Sequence, residues 1–281
     1  MRGRSGEDPQ DDDAVDGNGD GEAAGQDVGK DRQFVTALAR GLEVLRAFRP
    51  GDVELGNWEL AERTGLPKPT VVRLTYTLTR LGYLVQTEAH GRYRLGVGVL
   101  ALGYALLTDL QVRERARPLM QALADEVDAS VSLGSRDRLS MVYVETCRGP
   151  GHITLRLDVG DRVPLGRTAM GRAFLAALPE PERAFLLDHL ARREGDDFPA
   201  VVRGVEQAMR DLAEKGFVVV SGDWQPDISA VGVPLVMPNG QISFALNCGT
   251  PAFLSSRTRL EEELGPKLAR LARRIGTADG G

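Results

Sequence analysis

The sequence predicts an α+β fold: an N-terminal winged helix-turn-helix and a C-terminal α/β domain on an antiparallel sheet, joined by a linker helix. Three observations carry this reading. Within residues 34–96, a helix, a short helix, a glycine turn, a third helix and a hairpin succeed one another. From Val97 an apolar, Gly- and Ala-rich stretch keeps helical spacing. Beyond it strands come in groups instead of alternating one by one with helices, the order of an antiparallel sheet with helices segregated beside it.

Phe34, Leu38, Leu42, Leu45 and Phe48 recur every three or four residues, so the spacing predicts one apolar helical stripe, ended by Pro50-Gly51. Residues 57–63 read as a short helix burying Leu60 and Ala61. Thr64-Gly65-Leu66 then makes a tight turn in which glycine supplies a positive φ. A third helix starts near Pro69, where the first helical N–H has no intrahelical partner to lose. Its Val71, Leu74, Leu78 and Leu81 face inward, which turns Val72, Arg73, Tyr76 and Arg80 outward. Strands at 83–87 and 92–95, with His90-Gly91 at the bend, form a wing. In this motif the third helix fits the major groove, polar side chains reach base edges, and wing cations meet phosphate. The candidates for contact with double-stranded operator DNA are Lys68, Pro69, Thr70, Val72, Arg73, Tyr76, Arg92 and Arg94.

Helical spacing continues to about Val127, with a break or kink expected at Pro118; residues 97–117 form the linker helix and 118–281 the second domain. GVGVLALG (96–103) has glycines in the style of a nucleotide loop but lacks the strand-turn-helix setting, so helix packing accounts for it better. Strands are expected at 131–135, 139–146, 152–157, 217–221, 229–237 and 242–248, the last two joined by a Pro238-Asn239-Gly240 turn. Helices are expected at 168–177, 181–192, 201–215 and 256–275.

The net charge of −5 is unequally spread. Residues 1–31 hold ten acidic side chains against three basic ones, a balance of −7, whereas residues 32–97 stand at +4 with ten basic and six acidic. With seven glycines and almost no large apolar residue, residues 1–33 read as a disordered acidic tail. No apolar run is long enough for a membrane span, which points to a cytoplasmic protein. Glu145, Cys147, His152 and Cys248 have neither structural-zinc spacing nor a nucleophile-base arrangement; buried thiols are expected, and no metal or cofactor. An enzyme using Cys248 or Asp223 is the alternative, but the chain has only three histidines and no recognisable nucleophile-base-orienter set.

Five stretches in order, FVTALARGLEVLRAF (34–48), ELAERTGLPKPTVVRLTYTLTRLGYL (59–84), GRYRLGVGVLALG (91–103), RTAMGRAFLAALP (167–179) and AVGVPLVMPNGQISFALN (230–247), resemble the IclR family of bacterial transcriptional regulators. The resemblance implies a repressor or activator without enzymatic activity, a homodimer or homotetramer on an operator of inverted symmetry, and a GAF-like effector-binding domain. It implies a small organic effector, an organic acid or aromatic catabolite, in a cavity lined by Thr168, Ala169, Met170, Asp223, Trp224, Ser229, Ala230, Asn247 and Cys248. Thr168 and the first turn of its helix would hold a carboxylate, with Asp223 either neutralised by a neighbour such as Arg167 or binding a ligand hydroxyl instead. In SGDWQPDISAVGVPL (221–235) the sequence departs from the family, with Asp227 where many members have glycine.

Overall fold

The computed structural model describes residues 33–87, 91–151, 155, 157–237 and 239–277. The acidic tail up to Arg32, His90, His152 and Pro238 of the expected turn lie outside this set. Two compact units meet between Val97 and Gly98.

The first unit comprises helices α1 (Thr36–Arg46), α2 (Asn57–Thr64) and α3 (Lys68–Arg80), with strands β1 (Leu55–Gly56), β2 (Leu84–Gln86) and β3 (Arg92–Leu95). Gly65 closes α2 in the left-handed region at φ 66°, and Pro67 follows as the N-cap of α3, so the turn has the residues its geometry requires. The wing gains a strand the sequence did not announce: β1 pairs antiparallel with β3, giving the sheet order β1-β3-β2. Two residues carry no readable periodicity. Val44, Leu55, Leu60, Val71, Leu78, Leu84 and Tyr93 fuse these elements into one core, each fully buried aliphatic chain contributing roughly 1.5–3 kcal/mol.

Two expected faces need correction. On α1 the buried positions are Gly41 and Val44, while Phe34, Leu38 and Leu42 of the expected stripe are exposed. On α3 the buried row is Val71, Thr75 and Leu78; Leu81 is 63% exposed. Thr75 tolerates burial because its hydroxyl has acceptors in Val72 O at 3.1 Å and Asn57 Oδ1 at 3.3 Å.

In the second unit, α4 (Val97–Asp109) and α5 (Gln111–Val127) part at Leu110, whose ψ of 79° leaves the helical region; Pro118 lies inside α5 and does not break it. Six strands follow: β4 (Ser130–Asp137), β5 (Ser140–Arg148), β6 (Arg162–Pro164), β7 (Val218–Ser221), β8 (Ile228–Val236) and β9 (Ile242–Pro251). They form one antiparallel sheet in the order β6-β5-β4-β9-β8-β7. The strand expected at 152–157 is not seen at Leu155 or Leu157, and the edge is supplied by β6 instead.

Between β6 and β7 lie α6 (Ala169–Ala177), α7 (Glu180–Glu194) and α8 (Phe198–Lys215); a π-helical turn, Arg259–Leu264, leads into α9 (Gly265–Gly276). Helices α5 and α9 cover one face of the sheet over Val131, Leu133, Val231, Val233, Leu246 and Cys248. The opposite face carries α6, with α8 packed against it. The start of α6 lies directly on Gly232, where any β-carbon would collide with the Ala169 carbonyl. That glycine lets the helix N-terminus touch the sheet.

Candidate functional site

In the first unit, the N-terminal part of α3 presents a surface. Lys68, Pro69, Val72, Arg73 and Tyr76 are exposed and Thr70 is half-buried. The side chains of Lys68 and Arg73 have no hydrogen bond or ion pair among the described residues, and neither does that of Arg94 on β3. Arg92 differs. Its guanidinium is held by Glu54 Oε1 at 2.5 Å and Glu59 Oε1 at 3.2 Å, and the hydrogen bond to Glu54 raises its pKa. Expected on the wing as a phosphate ligand, Arg92 ties β3 to Glu54, just before β1, and to α2, with two carboxylates balancing its charge. Glu59 also accepts from the Gly56 N–H at 2.6 Å, so one cluster fixes the start of α2.

In the second unit a cavity of about 30 Å³ lies between the start of α6, the strands and the β7–β8 loop. Of the nine expected residues it gathers six: Thr168, Ala169, Asp223, Trp224, Ala230 and Asn247. The other three are absent from its wall, for physical reasons. Successive strand residues face opposite sides of a sheet, so Ser229 cannot share a face with Ala230, nor Cys248 with Asn247. Ser229 bonds Ser221 at 2.9 Å, and Cys248 belongs to the core under α5 and α9, where burial pushes its thiol up to about 12. Met170 points down into the space that Gly134 leaves in β4 and is fully buried there.

The remaining wall includes Tyr143, Leu155, Leu157, Arg167 and Val220, with Gln225 and Ile228 from the loop and the start of β8. Tyr143 reaches it because of a β-bulge. Alternation alone would put Tyr143 and Glu145 on one face, but the register slips opposite Leu133/Gly134. Tyr143 therefore faces the cavity, while the buried Glu145 meets Arg113 at 2.9 Å and Arg117 at 2.6 Å on α5.

The polar groups of this wall are largely committed. The Thr168 hydroxyl donates to Pro164 O at 2.9 Å and accepts from the Gly171 N–H at 3.2 Å, so it caps its own helix and is not free for a carboxylate. Asp223 is neutralised by Arg172 at 2.6 Å; Arg167 is engaged with Glu194 and Asp197 instead. Arg172 is itself buried, donates to Gly166 O at 3.0 Å, and lies where a side chain at Gly204 of α8 would otherwise stand. Beyond this pair opens a groove of about 890 Å³ whose wall includes Arg203, Gln207 and Arg257. Asn247 Nδ2 donates to Tyr143 Oη at 3.3 Å, and Asn247 Oδ1 is buried without a partner.

Comparison with known proteins matches residues 37–88 to the IclR helix-turn-helix domain and residues 104–277 to the C-terminal domain of bacterial IclR transcriptional regulators. The chain belongs to the IclR family. Its relatives include the HTH-type transcriptional regulator TsaQ1/TsaQ2 of Comamonas testosteroni, 34% identical over 86% of this chain and 87% of that protein. The Pca regulon regulatory protein of Pseudomonas putida is 28% identical over 86% of this chain and 84% of its own length. An IclR-family regulator from Brucella abortus, known as a crystal structure, is 48% identical with a TM-score of 0.82, covering 89% of this chain and 94% of that one. This IclR-family chain is a DNA-binding, effector-responsive transcriptional regulator, and the reading as a metabolite enzyme finds no support among its relatives. Among the described residues no helix is long and apolar enough to cross a membrane.

Proposed function

We propose that Lys68, Thr70, Arg73 and Tyr76 on α3 read the operator, that Arg94 meets phosphate from the wing, and that the cavity at the start of α6 receives the effector. The observation that carries the first part is that Lys68 and Arg73, exposed on the N-terminal part of α3, have no partner among the described residues, beside an Arg92 whose charge is already balanced. A small organic acid or aromatic catabolite suits the cavity, whose walls are mostly apolar with a few polar groups. At about 30 Å³ the cavity holds little more than a water, so the effector must part the wall formed by Trp224, Leu155 and Leu157. A ligand that favours the parted state shifts the population toward it, and the linker helix conveys the change to the DNA-binding unit.

Self-association supports this mechanism. Leu100, Leu102, Tyr104 and Leu106 on α4 are exposed, as are Phe34 before α1 and Leu38 and Leu42 on it, and apolar runs of this kind mark protein interfaces. A second copy of this chain as the partner makes a homodimer, or a dimer of dimers, that presents two α3 helices to an inverted repeat. Sedimentation analysis tests this: Leu100→Glu with Leu102→Glu should yield monomers with weakened operator affinity. An unchanged assembly would remove α4 from the interface.

A further inference from the structure

We propose that the effector enters with an uncharged hydroxyl group foremost, and that Tyr143 and Asn247 receive that hydroxyl at the buried end of the cavity. This rests on the reading of the cavity as the effector site. Both residues line it, and both are more than nine-tenths buried. The amide nitrogen of Asn247 donates to the phenol oxygen at 3.3 Å, which leaves Asn247 Oδ1 as an acceptor without a partner and the Tyr143 proton as a donor. Burial pushes the Tyr143 phenol up to about 12, so that proton stays in place across the physiological range.

The conclusion does not depend on which way the amide is turned. If Asn247 is flipped, Tyr143 donates to Oδ1, and the cavity is offered an N–H from the amide and a lone pair from the phenol. In both arrangements the pair shows the ligand at least one donor together with an acceptor. A carboxylate brings acceptors alone and leaves the protein's acceptor buried and unsatisfied; an ammonium brings donors alone and leaves the donor so. A hydroxyl brings both at a single atom, which matters in a space of about 30 Å³. The Thr168 hydroxyl, already bonded at both its donor and its acceptor side, offers no competing seat.

Two matched pairs of probes test this on the full chain by calorimetry: 4-hydroxybenzoate against 4-methylbenzoate, and 3-hydroxybutyrate against 3-methylbutyrate, each pair exchanging hydroxyl for methyl at nearly constant shape. The hydroxylated member of at least one pair should bind roughly tenfold or more tightly than its partner, because a site built around a hydroxyl rejects the analogue that lacks it. Tyr143→Phe and Asn247→Leu should each collapse that preference while retaining binding of the methyl analogue; Tyr143→Phe removes one oxygen only and keeps the test open should Asn247→Leu fold poorly. Equal or better binding of the methyl analogues, or a hydroxyl preference that survives in Tyr143→Phe, would overturn the hydroxyl assignment and leave the cavity as the effector site. No binding of any of the four, with operator binding intact, would remove both.

Discussion

On α3, Lys68 and Arg73 stand in solvent with no partner among the described residues, whereas around the cavity Thr168, Arg172 and Asp223 are bonded to protein and one acceptor, Asn247 Oδ1, is left over. The contrast follows from where each surface meets water. An exposed cation stays hydrated until DNA arrives, so leaving it unpaired costs the fold almost nothing, and its charge works through counterion release on binding. A polar group in a closed cavity has no such reserve, and each unpartnered one costs about 1–3 kcal/mol. On the proposed reading the DNA-contacting face is assembled from free groups, while the effector cavity is lined by satisfied ones and takes its specificity from the single pair that is not.

The strongest way to break this comparison is to exchange the two faces of β9. Cys248→Asp would bury a charge in the core beneath α5 and α9 and should destabilise the C-terminal unit by about 3 kcal/mol or more, seen as a lost or greatly lowered thermal transition by circular dichroism. Asn247→Leu, one residue away but facing the cavity, should cost clearly less, since it removes the unsatisfied acceptor and so offsets part of the loss of the amide that bonds the Tyr143 hydroxyl. Similar losses in both would mean that the cavity wall is ordinary core.

A second test sharpens the contrast within the DNA-binding unit. Arg73→Ala should weaken operator binding by roughly 1–3 kcal/mol if it reaches a base, with an unchanged melting temperature. Lys68→Ala, if it meets phosphate, should weaken all sequences alike and reduce the salt slope by about one unit. Arg92→Ala should do the reverse, loosening the β1–β3–α2 corner while leaving the salt slope nearly intact, because two carboxylates already balance its charge. If Arg92→Ala reduced the slope as much as Lys68→Ala, the ion pair would have to open on DNA.

The DNA-reading half was largely legible in the sequence because it is local. The Gly65 turn, the helix start near Pro69, and the outward row Val72, Arg73, Tyr76 and Arg80 all follow from spacing within some fifteen residues. The exceptions were faces that depend on distant partners, such as Thr75 held by Asn57, and the α1 stripe, whose Phe34, Leu38 and Leu42 are exposed in the single chain. The cavity was only half legible for the same reason. Choosing adjacent strand residues, Ser229 with Ala230 and Asn247 with Cys248, could put only one of each pair on the cavity wall, and alternation would have sorted them. Tyr143 was missed because the bulge that aims it depends on pairing between β4 and β5, and Arg172 because its partner Asp223 lies 51 residues away. Arg167, named from the sequence for that role, is instead held by Glu194 and Asp197.

The smallest effect is expected where a cation of the first unit is already paired. Arg63 on α2 bonds Asp52 at 2.5 and 3.1 Å and the Ala47 carbonyl at 2.9 Å, pinning the segment after α1 against α2. The hydrogen bond from Arg63 is the main reason the Asp52 pKa is lowered, with burial opposing it. A carboxylate whose folded pKa lies below its unfolded value near 3.8 stabilises the fold fully above that value, and the contribution is lost as pH falls through the folded pKa. Between pH 5 and pH 2 the parent should therefore lose more stability than Asp52→Asn, by under about 1 kcal/mol because both side chains keep partial contact with water. Urea midpoints followed across that range measure the difference, and parallel pH profiles for the two proteins would show that the segment is held by the Arg63 bond to Ala47 alone.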